Sequence, residues 1–216
     1  VWQDTRTQDI CDELKNMDQL DDDLAKTGLP IATYFSLSKI LWLLRNVNDV
    51  QQAKLDDDLC FGTIDSWLIY KFTGNHVTDV TNASRTLLMD LNSLTWLDSV
   101  IKLLDIPKNA LPAIKPSLFS YGTNKKILKN VPITAVLGDQ QASLFGHNCI
   151  STGDVKNTYG TGCFALTNTG SEIVNSNNGL LSTVAYQQEG SKPQYALEGS
   201  VSIAGAAVQW LRDNLN

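Results

Sequence analysis

Apolar residues recur at helical spacing in the first half of the chain and gather into short strand-like runs in the last third. Ile10, Cys11 and Leu14 fall on one face of a helix. Thr7 suits the N-cap of that helix, and Gly28-Leu29-Pro30 breaks the pattern. We therefore predict a helix that begins after Thr7 and packs its apolar face into a core.

A second helix is predicted just after Tyr34, with Ser36 as its N-cap. Its apolar positions lie three and four residues apart, as on one helical face. They are Leu37, Ile40, Leu41 and Leu44. Core packing explains these positions, but it does not explain Tyr34 outside the cap or Lys39 among the apolar residues.

Residues 59–64 form a short apolar run that predicts a buried strand, and a helix capped by Asp65 is expected to follow it. Residues 77–86 are polar and carry short side chains, a composition unfavourable for a helix or a core strand. Such side chains can bond the local backbone of a fixed loop. We favour that role over direct contact with a substrate.

The strongest chemical signal is Gly138-Asp139-Gln140-Gln141. It follows an apolar run, residues 131–137, that predicts a buried strand, and it precedes residues 142–146, which predict the start of a helix. Open α/β sheets bind ligands at the carboxyl ends of their strands, where Asp139 would lie. A carboxylate there can accept a proton from a substrate hydroxyl or hold a metal ion, and the alternative is a helix cap.

A second candidate is the loop Gly160-Thr161-Gly162 between predicted strands at residues 155–159 and 163–167. Glycines let backbone N–H groups approach an anion, and Thr161 adds a hydroxyl. A strand-end acid together with such a loop suggests phosphoryl transfer. The elements predicted after this loop are strands at 180–186 and 194–198 and a helix at 206–211.

The change from helices to strands predicts an α/β chain of two domains, residues 1–148 and residues 149–216. The first residues resemble the end of a strand without a Met, and the last ones fall inside a helical pattern. We therefore expect a piece of a longer protein in which both domains are incomplete. Residues 124–130 are polar and basic, and we expect an exposed hairpin or loop there.

Composition narrows the function classes. The 216 residues carry a net charge of −6, which does not favour nucleic acid or an anionic membrane as a partner. The acidic runs at residues 18–23 and 56–58 lack the spacing of a calcium loop and predict solvated surface. Four scattered cysteines and two histidines make a zinc site improbable, and free thiols indicate a reducing, cytoplasmic compartment. The sequence shows no signal peptide and no apolar run long enough to cross a membrane.

Several long motifs together resemble a known family. Residues 34–46, Tyr34-x-Ser36-x-x-Lys39-Ile40-x-Trp42-Leu43-x-Arg45-Asn46, fit the first signature of the FGGY carbohydrate kinases. Other motifs resemble the members of that family that phosphorylate glycerol. They lie at residues 1–7, 79–86, 138–141, 157–162 and 196–200, so the resemblance covers the whole chain.

The resemblance implies an actin-like (ribonuclease-H-like) kinase fold of two α/β domains, with glycerol and ATP as substrates, Mg²⁺ as cofactor and a homo-oligomer, dimer or tetramer, at full length. It makes Asp139 the general base, close to the metal. It also assigns two binding sets. The substrate set is Trp2, Tyr34, Asp139, Gln140 and Phe164, and the nucleotide set is Gly160, Thr161, Gly162, Gly205 and Gln209.

Other motifs of the family are not in this chain: its first phosphate loop, an Arg-Glu pair that grips glycerol, and the adenine-binding Gly-Gly motif. We therefore expect residues 1–216 alone to be inactive. Two alternatives stay open, another FGGY kinase acting on a sugar or polyol and a catalytically inactive member of the fold.

Overall fold

The computed structural model describes residues 4–124 and 130–215. Trp2 and most of the predicted loop at 124–130 lie outside the described residues. The α-helices within those ranges are α1 (Gln8–Lys15), α2 (Asp21–Ala25), α3 (Ser36–Asn46), α4 (Asn48–Leu55), α5 (Ile64–Thr73), α6 (Val80–Ala83), α7 (Asp98–Leu103), α8 (Asp139–Gly146) and α9 (Gly205–Asn214). Short 3₁₀ turns lie at Asp18–Leu20 and Lys108–Ala110.

The strands are β1 (Val77–Asp79), β2 (Met89–Asp90), β3 (Thr95–Trp96), β4 (Ala113–Lys115), β5 (Leu118–Asn124), β6 (Val131–Ala135), β7 (Val155–Tyr159), β8 (Cys163–Gly170), β9 (Leu181–Tyr186) and β10 (Gln194–Val201). β1 pairs in parallel with β4, whereas β2 with β3 and β5 with β6 pair antiparallel. The last four strands form one antiparallel sheet in the order β7-β8-β10-β9.

The helices of the first half share one hydrophobic core. Leu14 of α1, Leu37 of α3 and Val100 of α7 are completely buried in it. Burying one such side chain contributes about 1.5–3 kcal/mol. The predicted helices at α1 and α3 are therefore confirmed, and their apolar faces pack as the spacing predicted.

Two smaller cores attach the four-stranded sheet to the rest of the chain. Val80 of α6 packs with Val184 and Tyr195 of the sheet. Leu144 of α8 packs with Leu166 and other sheet residues. Helices α6 and α8 thus lie against the same sheet, and this brings the two polar segments at their N-termini together.

Thr7 is the N-cap residue of α1, as predicted, but its hydroxyl bonds that of Ser38 at 2.9 Å and makes no capping hydrogen bond. Two other predicted caps are wrong. Ser36 is the first residue of α3, whose N-cap is Phe35. Asp65 lies inside α5 and accepts hydrogen bonds from the hydroxyls of Thr63 and Thr78, because tertiary partners compete with the helix N–H groups.

The predicted strand at residues 59–64 is also wrong. Phe61 is buried and its N–H donates to the Ala110 carbonyl at 2.7 Å, but its neighbours Cys60 and Gly62 are exposed. No strand of the described ranges pairs with this segment. One buried aromatic side chain anchors it, without the ladder that a strand requires.

The loop predicted at residues 77–86 is wrong. The segment contains β1 followed by α6, and most of its side chains are buried. The predicted local bonding is confirmed. Ser84 Oγ donates to the Thr81 carbonyl at 2.8 Å, and Thr86 Oγ1 donates to the Ala83 carbonyl at 2.6 Å. Because the polar side chains satisfy one another, a polar run can be core.

Candidate active site

The N-terminus of α8 holds Asp139. The strand predicted before it is present as β6, but it ends at Ala135 and is mostly exposed instead of buried. Gly138 is the N-cap residue, with extended backbone angles, and Asp139 is the first helical residue. The N–H of Gly138 donates to Thr81 Oγ1 at 2.8 Å. A Cβ atom at position 138 would come within 2.7 Å of Gln141 Oε1, so the close approach of that side chain requires glycine. The start of α8 is therefore fixed against α6.

Asp139 is exposed, and its carboxylate faces its own neighbour. Oδ1 accepts from the backbone N–H of Gln140 at 2.9 Å, and Oδ2 accepts from Gln140 Nε2 at 3.3 Å. The bond to the Gln140 N–H lies within the first turn of α8, whose N-cap residue is Gly138 and not Asp139. An exposed carboxylate with oxygen lone pairs open to solvent can accept a proton or coordinate a cation.

Gln140 is held from its other side by Lys156 of β7. Lys156 Nζ donates to Gln140 Oε1 at 2.5 Å and to Thr158 Oγ1 at 2.8 Å. Burial lowers the pKa of this lysine below its usual value. The negative charges of Glu198 and Asp139 act in the opposite direction but do not cancel the effect of burial. The sequence analysis missed Lys156, and a lysine inside a strand next to the glycine loop was its only signal.

The predicted hairpin around Gly160-Thr161-Gly162 is confirmed, since β7 and β8 pair antiparallel on either side of it. Its carbonyl groups cover the N-terminus of α9. Gly205 N–H donates to Gly160 O at 3.0 Å, and Ala204 N–H donates to Thr161 O at 2.8 Å. A Cβ at Gly205 would lie 2.4 Å from Gly160 O, so close packing accounts for that glycine.

The structure thus brings the predicted nucleotide set together. The carbonyl groups of Gly160 and Thr161 accept hydrogen bonds from the first turn of α9, where Gly205 begins the helix, and Gly162 is the next residue of the same loop. Gln209 lies one turn further, four residues from Gly205, and is exposed like Thr161. Their contact with a nucleotide stays a prediction.

A cavity of about 560 Å³ opens beside this hairpin. Two residues of the predicted substrate set, Tyr34 and Phe164, line it although they are far apart in the sequence. Asp139 lines a separate apolar groove of about 790 Å³ that runs between α5 and β6. The structure therefore places Tyr34 and Phe164 in one cavity. Asp139 and Gln140 contact each other at the start of α8, and Asp139 does not line that cavity.

An ion pair crosses this cavity and was also missed by the sequence analysis. Arg85 Nη2 donates to Glu198 Oε1 at 2.9 Å, and Glu198 is 2% exposed. The guanidinium carbon lies 5.8 Å from the ring centre of Tyr34 and 5.6 Å from that of Phe35. Within the described residues, Arg85 Nη1 and Glu198 Oε2 are buried without a hydrogen-bond partner. A glutamate that follows Tyr195-Ala196-Leu197 within a predicted strand was the available signal.

The four cysteines are free, as expected, and Cys11 and Cys149 are buried. Among residues 4–124 and 130–215, no three His, Cys, Asp or Glu side chains converge to hold a metal ion. No helix in the described part of the chain is long and apolar enough to cross a membrane.

Family models define the class of protein. Residues 1–146 match the N-terminal domain of the FGGY family of carbohydrate kinases, and residues 155–216 match the C-terminal domain of that family. The chain therefore belongs to the FGGY family of carbohydrate kinases. The predicted fold class, an α/β chain with the actin-like kinase fold, is confirmed. The division at residue 149 stays a prediction.

Individual relatives of this chain within the family are glycerol kinases. A glycerol kinase of Pseudarthrobacter chlorophenolicus is 50% identical over the whole of this chain, and one of Chloroflexus aggregans is 52% identical. The chain spans 44% of the length of each of these relatives.

Solved structures agree. The crystal structure of Plasmodium falciparum glycerol kinase with ADP superposes with a TM-score of 0.92 at 42% identity, over 99% of this chain and 44% of that one. A ligand-bound xylulose kinase of Lactobacillus acidophilus gives 0.83 at 25% identity, over 100% of this chain and 44% of that one.

Proposed function

We propose that the whole protein containing this chain transfers a phosphoryl group from ATP to a hydroxyl of glycerol. The observation that carries this proposal is the identity of about half of all residues, along the entire chain, with glycerol kinases. The cavity between Tyr34 and Phe164 supports it, since aromatic walls exclude water around a small polyol. The buried Arg85–Glu198 pair beside it supplies polar character to the same space.

In this proposal Asp139 is the general base that accepts the hydroxyl proton. Its carboxylate is exposed at the start of α8, outside the cavity that Tyr34 and Phe164 line. Gln140 and Tyr34 bond the glycerol hydroxyls, and Phe164 and Trp2 pack on its carbon atoms. Thr161, with Gly160 and Gly162, contacts the transferred phosphate, while Gly205 and Gln209 line the nucleotide site.

Mg²⁺ fits this donor set. The ion binds oxygen and is commonly held by one or two carboxylates together with substrate phosphates. Asp139 offers one exposed carboxylate for that purpose. When bound, the ion would neutralise charge on the phosphates, whereas the chain's own residues position the hydroxyl and take its proton.

Asp139→Asn in the whole protein tests the proposal. Loss of the base is expected to lower kcat for glycerol by about 10²- to 10⁴-fold, with nucleotide binding largely retained. Asp98→Asn is the matched control, because Asp98 is also an exposed acid that begins a helix. Unchanged turnover in the Asp139 variant would refute the assigned role.

A substrate panel separates the alternatives. Glycerol, xylulose and gluconate should be offered to the whole protein with ATP, because xylulose and gluconate kinases share this fold. Preference for a sugar would replace the proposed substrate, and no transfer to any of them would favour an inactive member. The homo-oligomer, the cytoplasmic location and the inactivity of residues 1–216 alone also stay predictions.

A further inference from the structure

Lys156 is a buried cation to which the proposed function assigns no role. It is 6% exposed on β7, in the strand that leads into the Gly160–Gly162 turn. A buried lysine is stable only where acceptors replace its lost water. Two acceptors do so, Gln140 Oε1 at 2.5 Å and Thr158 Oγ1 at 2.8 Å.

The chemistry of the ammonium group dictates how the Gln140 amide is turned. Lysine has three donors and no acceptor, whereas a glutamine amide presents an oxygen on one side and a donor NH₂ on the other. Lys156 therefore binds the amide oxygen and leaves Nε2 on the far side. There Nε2 donates to Asp139 Oδ2 at 3.3 Å.

Two acids act on Lys156 electrostatically. Burial lowers the pKa of the lysine, the negative charges of Glu198 of β10 and Asp139 of α8 partly oppose that shift, and Glu198 is paired with Arg85 in the cavity wall. Thr158, its second acceptor, lies two residues before Gly160. A continuous chain of contacts thus links the glycine hairpin to Asp139.

We propose that Lys156 is a positioning residue that locks the Gln140 amide with its NH₂ group toward the substrate hydroxyl and Asp139. This inference rests on the proposed function, in which Gln140 bonds the substrate. Without the ammonium, only the longer Nε2 contact with Asp139 Oδ2 at 3.3 Å orients the amide, so the flipped form, with its oxygen toward the carboxylate, becomes more populated. The lysine acts through Gln140 and does not touch the reacting atoms.

The test is a double-mutant cycle on the whole protein. Lys156→Met is expected to raise KM for glycerol about tenfold, the usual worth of a charge-assisted hydrogen bond, with KM for ATP unchanged. In Gln140→Ala the further change Lys156→Met should add nothing. Lys192→Met, on an exposed loop residue, is the control and should match the wild type. Additive effects on KM, or a lower melting temperature with unchanged KM, would overturn the inference.

A second readout does not depend on activity. The side-chain amide NMR signals of Gln140, assigned by their loss in Gln140→Ala, should shift in Lys156→Met and stay in place in Lys192→Met. If the wild type does not phosphorylate glycerol, the proposed function fails, while unmoved amide signals would refute the positioning role by themselves. Should Lys156→Met not fold, Lys156→Gln replaces it, since its amide can donate or accept and no longer dictates the orientation.

Discussion

Two aspartates occupy the same place in the local topology and differ in almost every other respect. Asp79 ends β1 and is the N-cap of α6, whereas Asp139 follows β6 and begins α8. Asp79 is completely buried, and Asp139 is exposed. Burial raises the pKa of Asp79, although the hydrogen bonds it accepts act in the opposite direction.

The donors around Asp79 come from two segments, the first turn of α6 and Ser117. Its carboxylate accepts from the backbone N–H groups of Thr81 and Asn82 at 3.0 and 2.9 Å. The Thr81 and Ser117 hydroxyls donate to Oδ2 at 2.7 and 2.8 Å, and Asn82 Nδ2 donates to Oδ1 at 2.8 Å. Such a set of donors leaves no lone pair for a substrate, so this acid is structural.

The two acids are connected through Thr81. Its hydroxyl donates to Asp79 and accepts from the N–H of Gly138, the residue before Asp139. The buried acid therefore helps to place the exposed one. The position of an aspartate at the end of a strand does not show whether its role is structural or catalytic. Burial and the number of hydrogen-bond donors around the carboxylate decide between these roles.

The largest expected effect is on stability in Asp79→Asn. An amide NH₂ would replace one carboxylate oxygen and face donors, leaving buried groups unsatisfied, at about 3–5 kcal/mol. We expect a large fall in the melting temperature of the whole protein, measured by calorimetry. A variant as stable as the wild type would remove the contrast between the two acids.

A third acid, Glu198, sharpens the comparison because it is buried like Asp79 but paired with a cation. Arg85→Met would leave its charge uncompensated on that side, at about 3 kcal/mol of unfolding free energy. Changing both residues to Met should recover part of this loss, and urea unfolding of both variants measures it. If the double variant is less stable than Arg85→Met alone, the pair is not the source of the loss.

Sequence patterns predicted the elements whose stability is local. The helical spacing in α1 and α3 and the glycine turn between β7 and β8 each follow from neighbouring residues. The prediction of a strand at residues 59–64 was wrong because a strand needs a pairing partner that is distant in the sequence, and apolar residues alone do not specify that partner. For the same reason the parallel pairing of β1 with β4 was not foreseen.

The candidate site divides in the same way. Asp139, Gln140 and the glycine loop stand in contiguous motifs, and the structure places them at a helix start and a hairpin. Arg85 and Glu198 are 113 positions apart, and Lys156 reaches Gln140 across 16. Only the packing of α6 and α8 on the sheet brings such partners together. A charged residue inside a predicted strand is a local signal, but the sequence does not show which distant residue it contacts.

The smallest expected effect separates the two acids most cleanly. Asp139→Asn should change the melting temperature very little, within about 0.5 kcal/mol of stability, because an exposed side chain has no buried donors to leave unpaired. Turnover and stability would then respond to opposite members of the pair, turnover to Asp139 and stability to Asp79. Calorimetry of both variants with the Asp98→Asn control measures this. A large loss of stability in Asp139→Asn would show that its contact with Gln140 supports the start of α8, and both acids would then be structural.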